Sequence, residues 1–238
     1  MQRIREREAA RVAEEKAERQ ESDTERAQFE TANGRRFKNR PNRHKIKPRD
    51  NPQLNLTDED SKIMRTGDGF VQAYNGQLAV DIDSLLIVSV HLTNKATDIQ
   101  QIKPALERLK QLPIGKPTMI VADAGYFSEL NVERCVASGI EPLISLGREK
   151  HHWGLNQWRQ LKQPQVGASS LEIMRYRLKT PDGRKIYARR KCSVEPVIGN
   201  IKRSMGFRQF LLRGIEKVRG EWALACMSWN IRRMFTLS

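Results

Sequence analysis

The chain has 238 residues, enough for one substantial domain with an appendage. Its 43 lysines and arginines against 28 acids give a formal charge of +15, which favours a polyanionic partner, with nucleic acid first. The longest apolar runs, "LLIVSV" and "WALACM", fall far short of the roughly 20 residues needed to cross a bilayer, and the opening "MQRIREREAARVAEEK" lacks the apolar core of a secretory signal.

Residues 1–33 are almost wholly charged and Ala-rich, with Ile4, Ala9, Ala10, Val12 and Ala13 too sparse for an apolar stripe, so they predict a solvated helix or disorder. Residues 34–53 form a basic linker, with Arg35, Arg36, Lys38, Arg40, Arg43, Lys45 and Lys47 and no acid before Asp50. Its prolines and charge density argue against a packed element. It serves either as a non-specific DNA contact along a phosphate backbone or as a solubilising insert, and neither role requires it to be folded.

Residues 54–238 carry the globular pattern. Phe70–Val80 and Leu85–Thr93 are β-rich and flank "DIDS", whose Asp81, Asp83 and Ser84 are turn formers, so an antiparallel hairpin is expected. In "DIQQIKPALERLKQL" the residues Ile99, Ile102, Leu106, Leu109 and Leu112 have helical spacing, with Asp98 placed as a cap. "TMIVADAGYF" reads as a buried strand that delivers Asp123 to a sheet edge, before Ala124 and Gly125, which are small enough for a ligand to approach. A capped helix "SELNVERCVASG" ending at Gly139, a strand in "IEPLISL" and a loop or small insertion "GREKHHWGLNQWRQLKQPQVGASS" follow. Leu171–Ser238 is helical in pattern, with a turn at Pro181–Gly183 and a final stripe of Trp222, Cys226, Trp229 and Phe235. The order predicts an α/β fold in which helices cover a mixed sheet.

Several residues carry chemistry or its bland equivalent. In "KCSVEPVIGNIKRSMGF" Val194, Val197, Ile198 and Ile201 share a helical face, Glu195 sits beside it, and Lys202 lies two turns on. Taken singly, Glu195 is a surface glutamate with local ion pairs and Asp123 a cap or turn former. Taken together, the two can converge on a divalent ion, as carboxylates do in phosphoryl transfer. His151 and His152 are adjacent and do not converge on a metal. Trp222 and Trp229 read as core, and "RSMGFRQFLLRG" is either a DNA-facing turn or a segment anchored by Phe207, Phe210 and Leu211. Cys135, Cys192 and Cys226 lack any paired spacing and read as reduced thiols of a cytoplasmic protein.

"IVADAGYFS" followed by "RRKCSVEPVIGNIKRSMGFRQFLLRGIEKVRGEWALACMSWNIRRM" resembles the catalytic domain of bacterial insertion-sequence DDE transposases. The resemblance also takes in "NLTDEDSKIM", "GFVQAYNGQLAVD" and "LTNKATD", and so spans Asn55 to Met234. It implies a ribonuclease-H-like fold with an Asp, Asp, Glu triad binding two Mg²⁺, and places the second Asp at Asp123 and the Glu at Glu195. Tyr187, Arg190 and Lys202 resemble the Tyr, Arg and Lys that accompany that Glu and bind DNA phosphates. The position four before Glu195 is Lys191, one residue off the family's spacing, so the resemblance implies the phosphate role for either Arg190 or Lys191.

In that family the first Asp lies on the first strand, upstream of a charged helical insert. The chain resembles the family from inside that insert onward, so an incomplete sheet, lacking the first strand and first carboxylate, and weakened Mg²⁺ binding are expected. Two readings follow: a truncated, catalytically impaired transposase, or a non-catalytic DNA-binding regulator of transposition. Both imply insertion-sequence ends and target DNA as partners, a homo-oligomer or a hetero-oligomer with full-length transposase, no membrane, and a bacterial cytoplasmic, nucleoid-associated location. A basic RNA-associated protein is a third reading, disfavoured by the few aromatics available as stacking platforms.

Overall fold

The computed structural model describes residues 2–38, 44–67, 69–147 and 162–238. Arg40 and Arg43 of the basic linker, His151 and His152, and most of the expected loop before Ser169 lie outside the described residues. The chain divides into two compact units, Met1–Glu59 and Asp60–Ser238.

The first unit is built on one long helix, α1 (Gln2–Ala32). Its Ala, Glu, Gln and Arg residues are strong helix formers, and Arg11 ties Glu8 and Glu15 one turn away on either side, at 2.6 Å each. The Arg11 guanidinium pulls the Glu8 carboxyl down to about 2. Only Val12 of the helix is buried, in keeping with the absence of an apolar stripe. The basic linker departs from expectation, because its described part is pinned along the helix. Arg19 donates to the His44 carbonyl (2.8 Å), Arg11 to that of Lys47 (3.1 Å), and the Arg49 N–H donates to Glu8 (2.7 Å). Phe37 is 5% exposed under Arg26, whose guanidinium carbon stands 5.2 Å from the ring centre. A segment too rich in proline to build a ladder of its own thus has its carbonyls satisfied by arginines from the helix.

Among its described residues the second unit holds three two-stranded ladders: β1 (Lys62–Thr66) with β2 (Gly69–Ala73), β3 (Asn75–Val80) with β4 (Ile87–Thr93), and β5 (Met119–Ala122) with β6 (Glu141–Ile144). The first two are antiparallel and the third parallel, which gives the expected mixed α/β class. The expected single strand Phe70–Val80 is broken at Tyr74. The residues before Tyr74 pair with β1 and those after it with β4, while its ring packs edge-on against Phe210, 6.2 Å away. The β3–β4 turn forms as predicted, Asp81 accepting from both the N–H and the hydroxyl of Ser84.

Helix α2 (Ile102–Lys110) is capped at Gln101 without any side-chain bond, so Asp98 is not its cap. Helix α3 (Glu129–Ala137) opens on Ser128, which accepts from the Asn131 N–H, and closes before Gly139 in the left-handed region at φ +66°. Helix α4 (Ser170–Lys179) has a capping box between Ser169 and Glu172. Pro181 does not form a turn: it begins α5 (Pro181–Ala188), where its missing N–H costs nothing, with Thr180 capping the Gly183 N–H. Helices α6 (Val194–Arg203) and α7 (Ile215–Leu237) complete the unit.

Two cores result. Ile102, Leu106, Val132, Cys135, Ile144 and Met174 join α2, α3 and α4 to the β5–β6 ladder. Ile87, Leu92, Val197, Ile201, Val218 and Trp222 join α6 and α7 to the β3–β4 ladder. Phe207 and Phe210 pack on the second core and Leu211 is exposed, which decides how the 204–214 segment is anchored. The C-terminal stripe ends early, because Phe235 is 85% exposed.

Candidate active site

Asp123 and Glu195 arrive from different elements. Asp123 ends β5 and caps the single 3₁₀ turn Ala124–Tyr126, one oxygen accepting from the Gly125 N–H at 2.9 Å. Glu195 occupies the first turn of α6, where the helix dipole favours a negative charge. Between them stands Arg190, from the turn that joins α5 to α6. Its two terminal nitrogens lie 3.9 Å from Asp123 Oδ2 and 3.8 Å from Glu195 Oε1.

The Arg190 side chain is 20% exposed, while those of Asp123 and Glu195 are 47% and 61% exposed, so the acids open to solvent and the cation is set behind them. Its Nε is buried and has no hydrogen-bond partner among the described residues. Its guanidinium carbon is 5.8 Å from the centre of the Tyr187 ring, a cation–π contact that fixes its direction. Arg190, not Lys191, therefore faces the two acids. Lys191 is exposed, and its N–H bonds the Ala188 carbonyl. Lys202 is exposed in the last turn of α6, seven residues after Glu195 on nearly the same face and about 10 Å further along. Arg36, Lys38, Lys45 and Lys47 are exposed and Arg35 half-buried, all in the first unit.

Asp98, just beyond β4, belongs to the same neighbourhood. Its Oδ1 accepts from Asn75 (2.9 Å) and Gln77 (2.7 Å) of β3, and Gln77 also receives the Tyr126 hydroxyl. A Cβ on Gly125 would stand 3.1 Å from Asp123 Oδ1 and 3.3 Å from Asp98 Oδ2, so the two carboxylates meet over the open side of one glycine. Asn131 holds the turn from below, donating to the carbonyls of Ile99 (2.7 Å) and Tyr126 (2.8 Å). Burial raises the Tyr126 phenol well above its ordinary range, with the charges of Asp98 and Asp123 adding to the effect. Asp98, Asn75, Gln77 and Tyr126 were not legible as site residues. The available signal was Asn75 and Gln77 two apart, two amides on one face of an otherwise apolar strand.

The remaining nucleophiles are inert or peripheral. Cys135 and Cys226 are buried, and burial pushes each thiol up to about 12, whereas Cys192 is exposed in the turn beside Arg190.

A carboxylate at a strand end, a second at a helix start and a cation between them thus stand together on an α/β scaffold. Residues 43–231 match the transposase DDE domain, and the chain belongs to that family. No curated protein and no solved structure matches it. Membership makes the chain a member of a nucleotidyl-transfer class whose partner is DNA and which works with divalent metal. Among the described residues no helix is long and apolar enough to cross a membrane.

Proposed function

We propose that this chain acts at insertion-sequence ends in Mg²⁺-dependent DNA strand cleavage and strand transfer, with Asp123 and Glu195 as the metal ligands. The observation that carries this reading is the position of Arg190, 3.9 Å from one acid and 3.8 Å from the other: carboxylates from two separate elements face one cation position. Two solvent-open carboxylates suit Mg²⁺, which keeps several waters and is bound by one or two carboxylates together with substrate phosphates. When bound, the ion supplies charge stabilisation to the phosphoryl oxygens and an activated water.

The chain's own residues do the rest. Asp123 keeps one oxygen on the Gly125 N–H and presents the other. Arg190 gives up its place between the acids and offers a bidentate fork to a phosphate, steadied by Tyr187. Lys202 and Lys191 add point charges along the backbone of the same strand, and the basic residues 35–47 add non-specific grip.

On this reading cleavage by this chain alone is weak, because the two carboxylates that face the cation position, Asp123 and Glu195, compare with three in the complete family site. The same observation favours the alternative, a non-catalytic regulator that occupies DNA ends as a homo-oligomer or in hetero-oligomers with full-length transposase in the bacterial cytoplasm. The exposed residues Leu224, Met227, Ile231 and Met234 of α7, spaced by threes and fours, support an oligomer.

The deciding experiment is nicking of supercoiled plasmid with Mg²⁺ or Mn²⁺, run beside DNA binding at rising salt. Nicking abolished by both Asp123→Ala and Glu195→Ala supports a working metal site. Salt-sensitive binding without nicking supports the regulator. Absence of DNA binding at low salt sinks both.

A further inference from the structure

We infer that Asp98 is a positioning residue for Asp123, acting through a hydrogen-bond relay of Asp98, Gln77 and Tyr126; this rests on the reading of Asp123 as a metal ligand. The argument starts from donors and acceptors. A carboxylate only accepts, so Asp98 forces the –NH₂ end of the Gln77 side chain toward itself (2.7 Å), and the second hydrogen of that group goes to Asn75 Oδ1 (2.8 Å). Both Gln77 hydrogens are then engaged, and its carbonyl oxygen must face the other way. There it receives the Tyr126 hydroxyl.

Tyr126 ends the 3₁₀ turn that Asp123 begins, and its N–H returns to the Asp123 carbonyl at 3.3 Å. Fixing the ring therefore fixes the turn, and with it the direction of the carboxylate at the turn's start. Asn75 donates to the same Asp98 oxygen (2.9 Å) and to the Lys95 carbonyl (3.2 Å), which holds Asp98 against β3 from the other side. Asp98 Oδ2 and Asp123 Oδ1 both face the open side of Gly125, where a methyl group would stand 3.3 Å from one and 3.1 Å from the other. Asp98 acts through Oδ1 on its neighbours and is not a ligand.

That distinction is testable, because asparagine keeps Oδ1 and loses the second carboxylate oxygen with its charge. Mn²⁺ is titrated into the purified chain and free Mn²⁺ is followed by electron paramagnetic resonance, with circular dichroism to confirm folding. Asp98→Ala is expected to weaken Mn²⁺ binding about tenfold, Asp98→Asn to restore most of it, and Tyr126→Phe to weaken it by a similar factor without disturbing the core. The Asp98→Ala/Tyr126→Phe double variant should be no weaker than either single one, because both cut the same relay.

Wild-type affinity in Asp98→Ala and Tyr126→Phe would overturn the inference. So would Asp98→Asn losing as much as Asp98→Ala, since Asp98 would then act by its charge or as a ligand. Asp123→Asn separates the two levels: if it leaves Mn²⁺ binding unchanged, the metal-site reading fails and the relay role fails with it. If it abolishes binding while the Asp98 variants do nothing, the relay alone is wrong.

Discussion

In the proposed metal site, a guanidinium beside two carboxylates relieves their mutual repulsion and would compete with an arriving metal ion. Arg190→Gln should accordingly bind Mn²⁺ more tightly, by about tenfold, because an opposing charge is removed from partly exposed pairs. It should also bind DNA less tightly. Calorimetric titration of each ligand checks both, and unchanged or weaker Mn²⁺ binding would show that Arg190 does not occupy the cation position. At this scale the sequence was informative where a residue type stood against its surroundings. Asp123 ends an apolar run and Glu195 sits among cations, and each is found where its neighbours made it conspicuous. Asp98 was hidden because an acid before a helical pattern satisfies the rule for a cap. Only hydrogen bonds from Asn75 and Gln77, more than 20 residues away in sequence, draw it elsewhere. The choice between Arg190 and Lys191 was equally closed to spacing, because both lie in the turn between α5 and α6, where helical periodicity does not apply.

The elements hold one another through side chains that imitate backbone. Asn230 of α7 accepts from the Ile87 N–H (2.8 Å) and donates to the Ile87 carbonyl (2.7 Å), as a neighbouring strand would. Trp229 adds a bond to the Leu85 carbonyl (2.9 Å), at a residue held in the left-handed region with φ 58°. Asn230→Ala leaves two backbone groups of β4 without these partners and should cost about 2 kcal/mol, read as a lower urea midpoint at unchanged slope. No loss would mean that water replaces the amide. Helices α2, α6 and α7 were legible from their apolar spacing and α3 from its cap. Strand breaks were not: Phe70–Val80 keeps β character throughout, and its division at Tyr74 depends on a ring packing against Phe210 from the far end of the chain. Pro181 misled in the opposite sense, because the same residue that ends one helix is preorganised to start the next.

Across the whole molecule, charge and burial set the response to pH. His91 lies on β4 with its Nδ1 buried and without a hydrogen-bond partner among the described residues. Burial lowers its pKa below the ordinary 6.5, and the positive charges of Arg108 on α2 and Arg219 on α7 lower it further. The unfolded chain therefore binds more protons than the folded one, so stability is full above about pH 6.5 and falls as the pH drops below that value. His91→Gln should flatten this slope in denaturant melts taken between about pH 7.5 and 5.5; an unchanged slope would assign the effect to other groups. The α/β class, the basic character and the polyanionic partner were legible because they rest on summed composition and periodicity. The strapping of residues 44–49 along α1 was not, because it depends on where the arginines of a helix with no apolar face find carbonyls.

The contrast between the cysteines gives the molecule a built-in reporter. Cys192 is open to solvent three residues before Glu195, while Cys135 and Cys226 are sealed in the two cores with their thiols held protonated. A maleimide dye at neutral pH therefore marks one position in the native chain, at the lip of the acidic pair. If the proposed site holds, its fluorescence should change on addition of DNA or metal without any engineered substitution, and labelling of the other two thiols should time the opening of the cores around them.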